Sequence, residues 1–384
     1  TRVNAQYYPD LIQNISERPE VVVNTFRDGK RFWKINQDEN MKLDAIVSNP
    51  PYQQIDEGDA ASDAGAPIYY KFVNIAKQMR SNYISMIMPS KWMVGGRSEL
   101  SSFLQEMKED HHLSYIKDYR NDRSIFPTAH NDGGIMYFLW DIHKKQTDID
   151  YTYVTMNGVS VRNFTVLRNR FSNFIIRDMR IMPILNKIFP IDHIITDSER
   201  FSFIVSKTRP FGLRKDIFNT PDNYPNSKLS LDKYDGSYKV YGVKGKKGGA
   251  KRMSGYITLA DVTDKYEALN KYKIFFTTTY SSDAVTPPEY IRAYKKELCT
   301  ETFLLIGPFN SEIEMNHCAS YMDTVFFKFL LFLGHGTMQV NQTVFGLIPL
   351  QDFTRPWTDA DLYAKYGLTD EEILFIESMI KPME

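Results

Sequence analysis

The sequence predicts an α/β unit over residues 1–165 joined to a mixed α+β unit over residues 166–384, and three observations carry that expectation. A length of 384 residues exceeds one ordinary domain and fits two of roughly 150 to 200 residues. Short apolar runs alternate with helical periodicities through the first unit, which is the mark of α/β order. From about Arg168 that order gives way to a helical stretch and then to Pro- and Gly-punctuated segments such as Asn219-Thr220-Pro221-Asp222 and Tyr224-Pro225.

Element by element, residues 43–47 form an apolar run stopped by Ser48-Asn49-Pro50-Pro51. This pattern predicts a buried parallel strand opening into a rigid turn. Ala66-Pro67 reads as a helix start with Pro in the first turn, followed by Ile68, Phe72, Ile75, Ala76 and Met79 at helical spacing. Residues 83–88 predict a second strand closed by Pro89, and residues 98–110 the helix after it. Residues 113–119, 134–142 and 149–155 read as further strands, the last two near enough in sequence to pair as an antiparallel hairpin at a sheet edge. Beyond them, residues 174–189 predict a helix, 238–243, 273–278 and 303–307 strands, and 318–333 helix. Thr358-x-x-Asp361 and Thr369-x-x-Glu372 have the form of helix-capping boxes.

Composition narrows the class. Hydrophobic content of 42% and charge of 24% are ordinary, whereas 24 Tyr and 25 Phe give a high aromatic share of 14%. Aromatic rings pack cores and also stack on bases. A formal net charge of zero does not decide for or against nucleic acid, because phosphate binding depends on local clustering. Cys299 and Cys318 are the two cysteines and form no CxxC, which leaves a zinc site or disulfide framework without ligands. The seven His residues, among them His111-His112 and His130, show no ligand spacing. The longest apolar stretch, residues 325–333, is interrupted by Lys328 and too short to span a bilayer, so a cytoplasmic protein is expected. The chain opens Thr1-Arg2-Val3-Asn4 without an initiator Met or a signal pattern, as expected of a piece of a longer polypeptide.

Chemistry concentrates in Asn49-Pro50-Pro51-Tyr52, directly after a predicted strand of an α/β sheet, where such sheets place ligand crevices. Paired prolines also make stiff turns without any chemistry, and that is the competing explanation. The chemical reading gives each residue a task. An exocyclic amino group on adenine is a poor nucleophile because its lone pair is delocalised into the ring. Two acceptors bonded to its two hydrogens would pull the nitrogen toward tetrahedral geometry and stabilise the growing positive charge. Asn49 offers a side-chain oxygen, and Pro50 a carbonyl on a residue with fixed φ and no N–H. Tyr52 offers a flat face for an unstacked base. The remainder is positioning.

At this point the sequence resembles the amino-methyltransferases that carry this tetrapeptide, in particular the large adenine-N6 DNA methylases of type II restriction-modification systems. The likeness continues through Asp63-Ala64-Gly65-Ala66-Pro67-Ile68-Tyr69, Met88-Pro89-Ser90-Lys91-Trp92 with Gly95-Gly96, and Asp118-Tyr119, Phe126-Pro127, Gly133-Gly134 and Tyr137-Phe138-Leu139-Trp140. It also includes Pro356-Trp357-Thr358-Asp359 with Leu362-Tyr363. The resemblance implies a partial Rossmann-like, S-adenosylmethionine-dependent methyltransferase sheet in residues 1–165 and a DNA target-recognition domain in residues 166–384. It further implies double-stranded DNA as partner, a fused or separate restriction endonuclease, and Phe126 as an aromatic packed against a flipped base, with a core role as the alternative for Phe126.

One departure stands out. Members of that group carry a Gly-rich strand-to-helix turn for S-adenosylmethionine upstream of the tetrapeptide, and no G-x-G turn precedes Asn49. The Gly-rich stretch 242–249 lies in the wrong place and runs into a strand-like segment. The chain is therefore expected to lack the main cofactor-binding segment and to be inactive in isolation.

For DNA contact, Lys244, Lys246, Lys247, Lys251 and Arg252 set five positive charges within nine residues, interleaved with Gly245, Gly248 and Gly249. Such a loop suits phosphates, against the alternative of a merely solvated lysine loop. Residues 277–282 offer hydroxyls, although a β-strand and turn is the better explanation for them. Two other functions compete: a protein-glutamine methyltransferase, whose members lack a long C-terminal extension, and a catalytically inert DNA-binding specificity module.

Overall fold

The computed structural model describes residues 5–35, 41–54, 65–95, 98–128, 131, 133–245, 249–264, 266–281 and 284–380. Two compact units divide the chain, Thr1–Met179 and Arg180–Glu384.

The first unit contains α1 (Leu11–Glu17), α2 (Pro19–Arg27), β1 (Ala45–Ser48), β2 (Gln53–Gln54), β3 (Ala66–Pro67), α3 (Tyr69–Gln78) and β4 (Tyr83–Pro89). It continues with α4 (Ser98–Glu109), β5 (Leu113–Tyr119), β6 (Ile135–Asp141), β7 (Ile149–Val154) and β8 (Ser160–Thr165). Six of these strands form a mixed sheet in the order β1-β4-β6-β5-β7-β8. β1 runs parallel to β4, and β5 parallel to β7, while β6 is antiparallel to both β4 and β5. The four strands β1, β4, β5 and β7 therefore point the same way. Their C-terminal ends share one edge of the sheet, and the segments that leave that edge carry the candidate chemistry.

Side-chain alternation decides which face is covered. Leu100, Phe103, Leu104 and Met107 recur at i, i+3, i+4 and i+7 on α4, and with Tyr69, Val73 and Ala76 of α3 they join Ile84, Met86, Met88, Ile116, Met136 and Phe138 in one buried cluster. Ile15, Val22 and Val23 of α1 and α2 pack on Ile75 and Met79. The other face carries Val47, Tyr83 and Phe164, which are 81%, 42% and 73% exposed.

Four sequence expectations need correction. β1 is parallel as expected but not buried: among the described residues it is the outermost strand and pairs with β4 alone, and Ala45 and Val47 are exposed. An apolar run reports low polarity, and low polarity does not fix the number of neighbours. Ala66-Pro67 does not start a helix; it pairs with Gln53–Gln54 as a short antiparallel ribbon, and α3 begins at Tyr69. Strands β6 and β7 do not form a hairpin, because β5 lies between them and β7 pairs instead with β8. The predicted helix at 174–189 is confined to a 3-10 turn, Met179–Ile181, and α5 (Met182–Ile188). Residues before it extend so that the Ile175 N–H can donate to the Met93 carbonyl at 2.8 Å.

The second unit adds α6 (Asp216–Asn219), β9 (Tyr238–Lys244), β10 (Lys251–Ile257), β11 (Tyr272–Thr277), β12 (Ile291–Ala293), β13 (Glu297–Cys299) and β14 (Phe303–Phe309). Helices α7 (Glu312–Asp323), α8 (Val325–Gly334), α9 (Asp359–Lys365) and α10 (Asp370–Ile380) complete it. Two three-stranded sheets, β10-β9-β13 and β12-β11-β14, share a core that includes Phe211, Val240, Ile257, Phe275, Leu298 and Leu305. Both expected capping boxes form, with Thr358 and Asp361 bonded reciprocally and Thr369 and Glu372 likewise. Cys299 and Cys318 are free and buried. Among the described residues no helix is long and apolar enough to cross a membrane.

Candidate active site

β1 delivers Asn49 to the sheet edge formed by the strand C-termini. Asn49 and Pro51 are exposed, Pro50 is buried and Tyr52 half-buried. Among the described residues neither the Asn49 carboxamide nor the Pro50 carbonyl has a hydrogen-bond partner. Two acceptors on consecutive residues are thus left open among the described residues. The turn that holds them is anchored beyond Tyr52, whose carbonyl accepts from the Ile68 N–H at 3.1 Å, and by the β2–β3 ribbon that follows. Proline at both central positions removes two donors and fixes two φ angles, so the turn has few ways to collapse.

The Tyr52 ring packs against the α3–α4 core cluster, and its hydroxyl is buried without a partner among the described residues. Burial raises the phenol above its ordinary value, which keeps it neutral; this suits a stacking surface better than an acid or base. Phe126 is half-buried in the segment after β5, with its N–H donating to the Asp122 carbonyl at 2.8 Å. It makes no ring contact with Tyr52. β5 lies three strand positions from β1, about 14 Å at 4.8 Å per strand, so the structure puts both aromatics on one edge without bringing them together.

A network that sequence reasoning missed sits just behind this edge. Asp118 of β5 is fully buried. Its carboxylate accepts from Ser90 Oγ at 2.6 Å, Tyr151 Oη at 2.8 Å, and Arg177 Nε and Nη2 at 2.5 and 2.6 Å. Arg177 also donates through Nη1 to the Gly133 carbonyl at 2.7 Å. One buried ion pair therefore ties together the segment after β4, β5, β7 and the turn into β6. Burial alone would push the Arg177 guanidinium down, and its pairing with Asp118 carries it above its ordinary value. The available signal was an acidic residue among apolar ones on β5. A register shift between Leu113 and Tyr115 breaks the period-2 pattern that would have exposed it.

The segment from β5 to β6 is held at both ends. Arg120 N–H donates to the Val154 carbonyl at 2.9 Å and Ser90 N–H to the Gly134 carbonyl at 3.0 Å. The buried Asp122 carboxylate accepts from the Asn131 N–H. Gly134, at φ +92°, passes so close to the Tyr119 carbonyl that a Cβ there would collide with backbone.

In the second unit, Lys244 and Lys251 face each other across the β9–β10 ladder, and both are exposed. Arg252 is partly committed: Nη1 donates to the Glu289 carbonyl at 2.8 Å and the guanidinium lies 5.8 Å from the Phe303 ring centre. Lys246 and Lys247 lie outside the described residues.

Comparison with known proteins follows this division. Residues 1–126 match the family described as Eco57I restriction-modification methylase. An uncharacterized adenine-specific methylase of Mycoplasma pneumoniae is 28% identical over 131 residues, 34% of this chain and 31% of the relative. The matched segment thus spans about a third of the relative's length. Among solved structures, the type IIG restriction endonuclease BpuSI is 11% identical over 88% of this chain and 49% of its own, with a TM-score of 0.33. The type IIL restriction-modification enzyme MmeI, solved in complex with DNA, is 9% identical over 78% and 44%, with a TM-score of 0.39. These two likenesses are too loose to define a shared fold. The sequence matches, which fall on the unit that carries the Asn-Pro-Pro-Tyr turn at the C-terminal edge of a mixed α/β sheet, show residues 1–126 to be similar to the Eco57I restriction-modification methylases.

Proposed function

We propose that this chain is the catalytic and DNA-reading part of an adenine-N6 DNA methyltransferase of a restriction-modification system. The observation that carries the proposal is the pair of acceptors, the Asn49 carboxamide oxygen and the Pro50 carbonyl, that have no partner among the described residues and are held by a doubly proline-stiffened turn. An adenine amino group bonded to both would hold its nitrogen lone pair toward the incoming methyl group, and preorganised acceptors require no reorganisation as positive charge develops. A paired base cannot reach this edge inside a duplex, so the target adenine is flipped out, with Tyr52 and Phe126 as the flanking aromatic surfaces. Lys244, Lys246, Lys247, Lys251 and Arg252 of the second unit grip the DNA backbone, and that unit reads the target sequence.

The methyl donor of this family, S-adenosylmethionine, does not fit the described residues before Asn49. They supply two helices and the single strand β1, with no glycine-rich strand-to-helix turn to receive a nucleoside. The isolated chain is accordingly inactive, and calorimetry of it with S-adenosylmethionine should register no binding in the micromolar range.

The decisive assay is methyl transfer by the intact methylase, wild type and Asn49→Ala, to duplex DNA and to protein acceptors. Adenine-N6 methylation of DNA that disappears in Asn49→Ala supports the proposal. Transfer to a glutamine side chain, or DNA methylation indifferent to Asn49, overturns it.

A further inference from the structure

The same sheet edge carries a concavity that the chemistry at Asn49 does not use. It lies between the C-terminal ends of β5 and β7, has a volume of about 470 Å³, and is lined by Lys117, Tyr119, Asn121, Thr155, Asn157 and Ser160 among others. The sequence builds it simply. Lys117 and Tyr119 alternate onto the face of β5 that the helices leave open. The β7–β8 turn forms the opposite wall, fixed by Thr155 N–H to the Val159 carbonyl at 2.9 Å, Val159 N–H to Thr155 Oγ1 at 3.1 Å, and Gly158 at φ +79°.

The lining defines what it can hold. Among the described residues it has one cation, several hydroxyl and amide groups, and no carboxylate. Among the described residues Lys117 makes no ion pair, and its ammonium lies 5.3 Å from the centre of the Tyr119 ring. One positive charge surrounded by neutral donors matches a monoanionic, many-acceptor group such as a phosphodiester, whereas a terminal phosphate with two charges would leave one unmatched. A volume of several hundred Å³ is ample for it.

Position then selects the source. β5 and β7 stand three and four strand positions from β1, or about 14 to 19 Å from the turn at Asn49. Along a duplex with about 3.4 Å of axis per phosphate on each strand, this separation corresponds to roughly four to six nucleotides. The ligand of the cavity and the base at Asn49 can belong to one DNA molecule lying along the sheet edge.

We propose that the cavity between β5 and β7 binds a backbone phosphodiester of the substrate DNA, with Lys117 as its charged contact and Asn121, Asn157 and Ser160 as neutral donors. This rests on the methyltransferase reading above and adds to it a DNA-positioning site in the catalytic unit, separate from the basic loop of the second unit.

The test is equilibrium binding of the chain to duplex DNA across a salt series, comparing wild type with Lys117→Gln, Lys117→Arg and Asn157→Ala, with circular dichroism melts to establish folding. The expected result is a loss of about tenfold in affinity for Lys117→Gln, with a salt slope shallower by about 0.9, and retention of the slope in Lys117→Arg. Superimposable salt curves for wild type and Lys117→Gln overturn the site. A parallel titration with adenosine monophosphate separates the sources: binding that is lost in Lys117→Gln while the DNA salt slope stays unchanged assigns the cavity to a free nucleotide and sinks the DNA reading. Methylation by the intact enzyme keeps the two proposals distinct. If Asn49→Ala abolishes DNA methylation but Lys117→Gln leaves DNA binding untouched, only the phosphate site falls. If the wild type does not methylate DNA yet Lys117→Gln weakens DNA binding, the transferase reading falls and the phosphate site stands.

Discussion

Replacing Arg177 with Met should unfold the first unit far more easily than an ordinary half-buried substitution would. The side chain loses two charge-assisted bonds to Asp118, at 2.5 and 2.6 Å, and one to the Gly133 carbonyl at 2.7 Å. The carboxylate left behind is fully buried and keeps only the neutral donors of Ser90 and Tyr151. Breaking one side of a buried pair in this way costs about 3–5 kcal/mol, because the surviving charge is uncompensated. Removing both charges, in Asp118→Leu with Arg177→Met, avoids that penalty and should cost less than Arg177→Met alone. Two units in one chain do not guarantee a single transition, so the assay is hydrogen exchange resolved by peptide in a urea series, read on β5, β6 and β7. Protection in those strands should fall in Arg177→Met and recover in part in the double variant. If Arg177→Met lies within about 1 kcal/mol of wild type, or if the double variant is the worse of the two, the pair does not clamp the sheet edge.

Three further expectations are open to direct measurement. Gly134→Ala forces a Cβ against the Tyr119 carbonyl at a φ of +92° and should cost about 1–3 kcal/mol or more, seen as a lowered midpoint of unfolding; an unchanged midpoint would mean that the turn relaxes freely. Lys273 is fully buried, with its ammonium donating to the carbonyls of Ala268, Lys271 and Tyr294 at 3.0, 3.0 and 2.9 Å, and burial pulls it down to about 8 from 10.5. Between those values the unfolded chain holds a proton that the folded chain has released, so stability should rise with pH across that window, by up to about 3 kcal/mol. That increment should be missing in Lys273→Met, and identical pH slopes in the two proteins would refute it. Lys244→Gln should weaken DNA binding alike on all sequences and flatten its salt dependence by about one unit of slope, whereas an unchanged slope would remove the β9–β10 loop from the interface.

Much of the fold was legible because local pattern and tertiary role agree. The β5 and β7 boundaries, the α4 periodicity and both C-terminal capping boxes follow from side-chain spacing alone, and each is stabilised by the neighbours that spacing anticipates. Failures cluster where partners decide. The run at 43–47, apolar except for Asp44, reads the same whether the strand is central or outermost, and only its pairing, with β4 alone among the described residues, reveals which. β6 and β7 are adjacent in sequence, yet β5 fits between them because Tyr115 to Tyr119 pair with both. Pro67 has the fixed φ that suits the first turn of a helix, but the same φ also suits a short ribbon opposite Gln53. At the site, the acceptors of Asn49 and Pro50 could be read from residue type and position. The Asp118–Arg177 pair could not: its members are 59 residues apart, and the apolar run Phe174-Ile175-Ile176 beside Arg177 signals burial without naming the partner.

The arrangement also explains why a turn that exposes Asn49 and Pro51 keeps its shape. Asn49 and Pro50 sit after an outer strand with one partner, the least supported position in the sheet, and their rigidity comes from elsewhere: two fixed φ angles, the Tyr52 carbonyl bonded to Ile68, and the Tyr52 ring sunk against the α3–α4 core. The segment carrying Phe126 gets its rigidity differently, from a buried ion pair that pins Gly133 while the Asp122 carboxylate holds Asn131. Loosening one should therefore leave the other in place. Arg177→Met would free the Phe126 segment without disturbing the acceptors, so its effect on methyl transfer by the intact enzyme should appear in base capture, as a raised KM for DNA, while Asn49→Ala removes acceptor chemistry and lowers kcat. An Arg177→Met enzyme that lost kcat at unchanged KM would show instead that the acceptor turn depends on the ion pair, contrary to the separate anchoring seen at Tyr52.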